Sequence, residues 1–183
     1  MKQLSHDEID NTQQKFPITI VCDAIRTPEN IGMCFRVAES FGVSKVYLHE
    51  SSPNLDNRIV KKTARNTINQ IEIENYDDFP ELITKLKQEK NTIIGIEITD
   101  KSINIQNYDF KSHEKIVLLL GSERHGIKNI DVVDATVSIP MYGRNSSMNV
   151  IHSLAIALYE VTNQIKAHPN LPKGKEIDAE NLY

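Results

Sequence analysis

The chain has 183 residues, of which 39% are hydrophobic and 25% charged. This profile is typical of one soluble globular domain and excludes a disordered, collagen-like or disulfide-framework chain. The formal net charge of −4 argues mildly against a nucleic-acid partner, because phosphate-binding domains tend to be basic. The polar first 16 residues lack the apolar segment of a signal peptide, and no run reaches the ~18 apolar residues of a membrane span. We therefore expect no membrane association.

Short β-branched runs alternate with amphipathic stretches along the chain. Near-continuous apolar runs are typical of strands that are buried on both faces of a parallel sheet. The alternation therefore predicts an α/β fold with a mostly parallel sheet. In chain order we predict a strand at 18–22, a helix at 31–41, strand 45–49, helix 56–65, strand 70–73, helix 77–90, strands 92–98 and 115–120, a short helix near 128–133, strand 136–139 and helix 146–166.

The boundaries of the first helix and of the domain can also be predicted. Asn30 is a good N-cap for the first helix, and Gly42 fits the position after its end. No linker-like change in composition divides the chain. We expect one domain at 17–166, an N-terminal extension at 1–16, and a flexible tail at 167–183 that contains proline, glycine and charges of both signs.

Several common kinds of site are excluded or disfavoured by missing motifs. No G-x-G-x-x-G follows the first strand, which disfavours a dinucleotide site and the common Rossmann-type methyltransferase. There is no P-loop motif and no G-x-S-x-G nucleophile motif. The six histidines show no metal-ligand spacing. Cys22 and Cys34 lie in apolar surroundings, so we interpret them as small buried hydrophobic residues of a reduced, cytosolic protein.

Polar residues and glycines follow the predicted strands. Gly121 and Gly126 bracket Ser-Glu-Arg-His directly after an apolar strand, at the strand end where open α/β sheets bind ligands. We predict a polar cleft built from residues 95–100, 121–126 and 139–149. These residues alone do not identify the reaction.

Three segments resemble the three motifs of the SpoU (TrmH-like) RNA ribose methyltransferases, in order and with fitting spacing. The similarity extends from about residue 17 to residue 166. Met148 stands where the family usually has leucine, a substitution that conserves volume. The matching residues are Asn30, Gly32 and Arg36 in the first motif, Gly121, Glu123 and Gly126 in the second, and Ile139, Pro140, Met141, Ser147 and Asn149 in the third.

The resemblance implies a fold and an activity that composition and periodicity do not suggest. The fold is the SPOUT fold, an α/β structure whose mostly parallel sheet is flanked by helices and whose C-terminal portion forms a deep trefoil knot. The activity is methyl transfer from S-adenosylmethionine, held bent in the knot, to a ribose 2′-hydroxyl of tRNA or rRNA in the cytoplasm. A homodimer with its active site near the interface is implied as well. Direct in-line transfer requires no metal and no covalent enzyme intermediate.

The resemblance also assigns catalytic roles to Arg36, Asn30, Glu123, Ser147 and Asn149. The family's arginine has a proposed role as general base, but a guanidinium normally stays protonated, which favours electrostatic stabilisation of the developing alkoxide and the adjacent phosphate. Glu123 would orient Arg36 through an ion pair, and Asn30 would orient Arg36 or the ribose. Ser147 and Asn149 would act near the methyl donor and the ribose, although Ser147 could simply cap the last helix.

Further residues are assigned to the methyl donor and to RNA. A sulfonium and an adenine favour a site of backbone groups and apolar side chains, although each isoleucine could equally be a core residue. The expected cofactor contacts are Ile96, Ile98, Gly121, Ile139, Met141 and Met148, and the expected RNA contacts are Arg26, Lys61, Lys62, Arg65, Arg124, His125 and Arg144.

Alternatives remain from other classes of protein. The chain could be a non-catalytic, knotted RNA-binding homologue, or a flavodoxin-like nucleotide-binding module. The negative charge does not exclude RNA, because residues 72–100 carry a net charge of −5 while residues 54–65 carry +3. We therefore expect few phosphate contacts, and RNA binding that is modest and sensitive to salt.

Overall fold

The structure is a computed structural model that describes residues 2–4 and 14–166. The expected tail at 167–183 and most of the expected extension at 1–16 lie outside the described residues. The strands are β1 (Phe16–Cys22), β2 (Val43–His49), β3 (Glu72–Tyr76), β4 (Thr92–Ile96), β5 (Ile103–Asn104), β6 (Ile116–Leu120) and β7 (Ala135–Ser138), and the helices are α1 (Pro28–Ser40), α2 (Arg58–Ala64), α3 (Phe79–Gln88) and α4 (Val150–Lys166).

The described strands form one sheet in the order β3-β2-β1-β6-β4-β7-β5. Every neighbouring pair in it is parallel. This arrangement confirms the predicted α/β class and the mostly parallel sheet. Strand β6 lies at the centre, between β1 and β4, and all of its residues are buried. The sheet therefore brings the ends of β1, β4 and β6 together at one edge.

Helices cover both faces of the sheet, and β6 shows the division. Leu118 belongs to the larger core cluster, together with residues of α1 such as Phe35 and residues of α4 such as Leu154. Leu119 belongs to a second cluster, with residues of α3 such as Leu86. Successive residues of a strand point to opposite faces, so an unbroken apolar run is what a strand between two helical layers requires.

The predicted elements exist, with corrections at their ends. Helix α1 has Thr27 at its N-cap, so Asn30 lies inside the first turn and is not the N-cap. Gly42 follows α1 with a φ of +62°, as predicted from its position. The predicted short helix near 128–133 is only a 3₁₀ turn, Ile130–Val132, and helix α4 begins at Val150 rather than at 146. Strand β5 was not predicted, because two residues leave no periodicity to read.

The interpretation of the two cysteines as buried hydrophobic residues is confirmed. Both are free and buried, with their Sγ atoms 3.8 Å apart. Among residues 2–4 and 14–166, no helix is long and apolar enough to cross a membrane.

Candidate active site

A cavity of about 360 Å³ opens at the edge of the sheet where β4, β6 and β7 end. We call it the central cavity. Its walls come from the three segments predicted to form a cleft, namely those after β4, after β6 and between β7 and α4. All six residues predicted to contact a cofactor line it: Ile96, Ile98, Gly121, Ile139, Met141 and Met148.

A tight hairpin after β6 forms one wall of the central cavity. The backbone groups of Ser122 and Gly126 exchange two hydrogen bonds of 3.1 and 3.0 Å. Gly126 has a φ of +60°, which favours glycine, and a Cβ at Gly121 would overlap the backbone of Gly126. The hairpin therefore needs both glycines, and its tip carries Glu123, Arg124 and His125.

Three predicted catalytic side chains form a hydrogen-bonded chain beside the cavity. The Asn30 amide donates from Nδ2 to Oε1 of Glu123 at 3.0 Å, and its Oδ1 accepts from Nδ2 of Asn149 at 3.0 Å. Glu123 also accepts from the backbone N–H groups of Arg26 and Thr27, at 3.2 and 3.0 Å. We call Asn30, Glu123 and Asn149 the carboxylate–amide network. It joins α1, the hairpin and the start of α4.

Glu123 is held as a carboxylate by these partners. Burial alone would raise its pKa, but the hydrogen bonds from Asn30 and from the backbone N–H groups stabilise the ionised form and lower the pKa to about 2. The carboxylate therefore remains a pure acceptor at neutral pH. This fixes the orientation of the Asn30 amide, whose NH₂ group must face Glu123 and whose oxygen must face Asn149.

The expected ion pair between Glu123 and Arg36 is absent from the described part of the chain. The carboxylate accepts three hydrogen bonds, from Asn30 and from two backbone N–H groups, instead. Arg36 is half-buried on α1, and its guanidinium has no hydrogen bond or ion pair with residues 2–4 or 14–166. Its charge is thus free to act on a bound group.

Ser147 and Asn149 differ in what they do. Both line the central cavity. Asn149 caps α4, since its Oδ1 accepts from the backbone N–H of Ile151 at 2.8 Å. Ser147 lies before the helix and has no such bond among the described residues, so the capping interpretation of Ser147 is wrong.

The residues expected to contact RNA divide into two groups. Arg26, Arg124 and His125 line a second cavity of about 510 Å³, which we call the basic cavity. The others line neither cavity: Lys61, Lys62 and Arg65 are exposed on or just after α2, where Lys61 pairs with Asp56 at 2.6 Å, and Arg144 is exposed in the segment before α4.

Two charged residues of the cavities were missed by the sequence interpretation. Glu97 directly follows β4 and lines the central cavity, where its Oε1 and Oε2 accept from the N–H groups of Ile98 and Ile127 at 3.0 and 3.1 Å. Lys128 lines the basic cavity. The position of Glu97 directly after a strand could have identified it from the sequence, whereas nothing in the sequence distinguished Lys128. No group of metal-binding side chains occurs among the described residues.

The chain belongs to the SpoU rRNA Methylase family, whose model matches residues 17–159. It is 25% identical over 148 residues to the 23S rRNA (guanosine-2′-O-)-methyltransferase RlmB of Acinetobacter baylyi. That match covers 80% of this chain and 60% of the relative, so the chain spans well under two thirds of the relative's length.

Two solved structures show the same fold. An AdoMet-bound rRNA methyltransferase from Sinorhizobium meliloti aligns with a TM-score of 0.75 at 22% identity, over 84% of this chain and 58% of that one. A structure described as giving insights into the 2-OH methylation of C/U34 on tRNA aligns with a TM-score of 0.73 at 20% identity, over 82% of this chain and 97% of that one.

Proposed function

We propose that the protein transfers a methyl group from S-adenosylmethionine to a ribose 2′-hydroxyl of rRNA or tRNA. Membership of the SpoU rRNA Methylase family and the activity named for the Acinetobacter relative support this reaction. The observation that carries the proposal is the carboxylate–amide network, which joins residues of all three family motifs beside a cavity.

The central cavity fits S-adenosylmethionine. Its volume suits a small-molecule ligand, and its lining combines apolar side chains with backbone groups and few charges, as an adenine and a sulfonium require. When bound, the cofactor supplies an electrophilic methyl group. The side chains proposed to hold it are Ile96, Ile98, Ile139, Met141 and Met148, with the backbone at Gly121.

As the ribose oxygen accepts the methyl group, its proton passes to water or to an adjacent RNA phosphate, and negative charge develops on the oxygen during the transfer. We assign stabilisation of that charge to Arg36, since a guanidinium stays protonated and donates several charge-assisted hydrogen bonds. Asn30 and Asn149 orient groups at the same site, because Glu123 fixes the direction of the Asn30 amide. Ser147 offers a hydroxyl inside the cavity for the ribose or the donor.

We further propose that two copies of the chain form a homodimer through α1 and α4. These helices pack against each other. They expose large apolar side chains, with Met33 on α1 at 37% and Ile156 and Tyr159 on α4 at 40% and 63%. Positions 156 and 159 lie on one face of α4, because residues three apart on a helix are neighbours. A partner that covered this patch would lie near Arg36.

The remaining proposals concern topology, boundaries and location. A trefoil knot in the C-terminal portion is supported by the strand order, in which β7 is inserted between the earlier strands β4 and β5. We retain 17–166 as the methyltransferase domain, close to the matched residues 17–159. The two unbonded cysteines are typical of a protein that works in the reducing cytoplasm.

A methyl-transfer assay with labelled donor tests the proposal. Total rRNA and tRNA from a strain that lacks the gene should accept methyl groups, and mapping 2′-O-methyl sites should reveal one lost in that strain. Binding of RNA without any transfer would support the non-catalytic homologue instead. Failure to bind S-adenosylhomocysteine in calorimetry would point to the flavodoxin-like module.

A further inference from the structure

The basic cavity lies beside the central cavity and has a different chemistry. It is lined by residues between β1 and α1, by the hairpin after β6 and by Lys128, which follows the hairpin. Three permanent cations and one carboxylate face it, which leaves a surplus of two positive charges. The charged lining residues are Arg26, Arg124, Lys128 and Glu123.

Lys128 lies within electrostatic range of the half-buried Asp23, but the three cations form no ion pairs within residues 2–4 and 14–166. Other lysines of the described chain do have them: Lys45 pairs with Glu72 and Glu74, both at 2.7 Å. Arg26, Arg124 and Lys128 are exposed and form no ion pair or side-chain hydrogen bond in the described part of the chain. Their charges are therefore available to an anion.

The carboxylate in the basic cavity offsets one of the three charges but forms no ion pair with any of these cations. Glu123 directs its oxygens to Asn30 and to the backbone N–H groups of Arg26 and Thr27. The cavity also borders the first turn of α1, a helix of 13 residues whose N-terminus carries a partial positive charge. Thr27 at the N-cap makes no side-chain capping bond to the helix, and its hydroxyl instead helps to stabilise the Glu123 carboxylate.

The two cavities share a wall. Ser122, Glu123 and Arg124 line both of them. A group in the basic cavity is therefore one side chain away from a group in the central cavity. In RNA, the atoms that flank a ribose 2′-hydroxyl at this range and carry negative charge are backbone phosphates.

We propose that the basic cavity binds the backbone phosphate bordering the target ribose, with Arg26, Arg124 and Lys128 as its cationic contacts. This inference rests on the proposed function and deepens it. An arginine fork matches two phosphate oxygens, and a lysine adds a point charge. The phosphate contact fixes the register of the ribose and reads no base, since phosphate contacts carry no sequence information directly.

The test compares Lys128→Ala with Lys111→Ala in the full chain. Lys111 is an exposed lysine that precedes β6, at the opposite edge of the sheet, so its loss is a matched control. The probes are unmodified transcripts of tRNA and 23S rRNA, titrated over a range of KCl concentrations. S-adenosylhomocysteine binding is measured by calorimetry to show that each variant keeps its central cavity.

For Lys128→Ala we expect RNA binding to weaken several-fold at low salt and the slope of log Kd against log [KCl] to fall by about one. The KM for RNA should rise while kcat changes little, because a phosphate contact present in both ground and transition states is uniform binding. Lys128→Arg should restore both values, and Lys111→Ala should match the unaltered protein.

The other outcomes distinguish failure of the phosphate site from failure of the proposed function. If the unaltered protein methylates RNA and Lys128→Ala keeps its salt slope and KM, the phosphate site is wrong and the proposed function stands. If the protein binds RNA but transfers no methyl group, the proposed function is wrong. A protein that binds no RNA at any salt concentration overturns both.

Discussion

Arg36 forms no ion pair with residues 2–4 or 14–166. The Glu123 carboxylate binds Asn30 and backbone N–H groups instead, so no ion pair offsets the charge of the guanidinium. We expect Arg36→Ala to abolish turnover, because it removes the proposed stabilisation of the developing alkoxide. S-adenosylhomocysteine affinity, measured by calorimetry, should stay nearly intact, since Arg36 does not line the central cavity. Activity within a few-fold of the unaltered protein would exclude the assigned role.

Glu123 links the carboxylate–amide network to acid stability. Its pKa of about 2 lies below its ordinary value of 4.5, so its ionised form stabilises the folded state. That contribution is complete above pH 4.5 and is lost as the pH falls toward 2. We expect Glu123→Gln to lower the unfolding temperature at neutral pH and the difference to shrink in acid. A difference that stays constant from neutral pH to pH 2 would show that the carboxylate's charge contributes nothing.

Asn30 shows what residue-level prediction can and cannot reach. A short polar side chain ahead of an apolar stretch is typical of an N-cap, and the sequence favours that interpretation. The helix instead starts three positions earlier, and the amide binds Glu123 and Asn149, which lie 93 and 119 positions away. Local pattern contains no information about partners so distant. Only the resemblance to a family placed these residues together.

At the scale of elements, Glu97 ties β4 to the hairpin after β6. Its carboxylate holds the N–H groups of Ile98 and Ile127 and lies against Gly126. Hydrogen bonds to a charged group contribute about 1.5–3 kcal/mol. We expect Glu97→Ala to loosen the wall of the central cavity and to weaken S-adenosylhomocysteine binding about tenfold. Calorimetry measures the loss, and Glu97→Gln, which keeps an acceptor, should lose less.

The contact between α1 and α2 depends on the absence of a side chain at Gly32. A Cβ there would overlap Oγ1 of Thr63 and approach the carbonyl oxygen of Val60. Alanine favours helices by about 1 kcal/mol over glycine, but overpacking costs about 1–3 kcal/mol. We expect Gly32→Ala to be neutral to destabilising by about 2 kcal/mol in denaturant unfolding. Adding Thr63→Ala should recover part of any loss, and a clear stabilisation by Gly32→Ala alone would contradict the close contact.

The elements themselves were largely predictable, for a physical reason. A strand covered by helices on both faces must be apolar throughout, and β6 and β1 therefore stand out in the sequence. The start of α4 was placed too early, because Ser147 and Asn149 are both good capping residues and the local pattern does not tell which of them caps the helix. The residues before Val150 instead form the wall of the central cavity, where Ser147 and Met148 face inward.

For the whole molecule, the proposed dimer gives a direct test. Replacing Ile156 and Tyr159 with glutamate would bury charges in the interface on α4, which costs far more than it does in solvent. We expect the double variant to sediment as a monomer and to lose methyl transfer, because the active site would lie near the interface. Gln88→Glu, at the exposed end of α3, adds a charge elsewhere and should leave both properties unchanged. A monomeric unaltered protein would refute the dimer.

The distribution of charge over the molecule explains the net value of −4. Acidic residues of the segment 72–100 are partly paired around β3 and α3, as in Lys85 with Glu74 at 3.0 Å. Three cations without an ion pair, Arg26, Arg124 and Lys128, line the basic cavity. The composition gives only the net charge. The separation of the acidic residues from the cations of the basic cavity is created by the fold. The overall charge therefore does not count against RNA.

The carboxylate–amide network can form only late in the synthesis of the chain, because its members are far apart in sequence. A growing chain that has not yet reached β6 lacks the strand that lies between β1 and β4. Strands β1, β2 and β3 then cannot be joined to β4. Asn30 is synthesised long before Glu123 and Asn149, so the three side chains can come together only after most of the chain has been made. Contacts between such distant segments form slowly. A nascent or truncated chain that stops before residue 149 lacks Asn149 and therefore cannot complete the network.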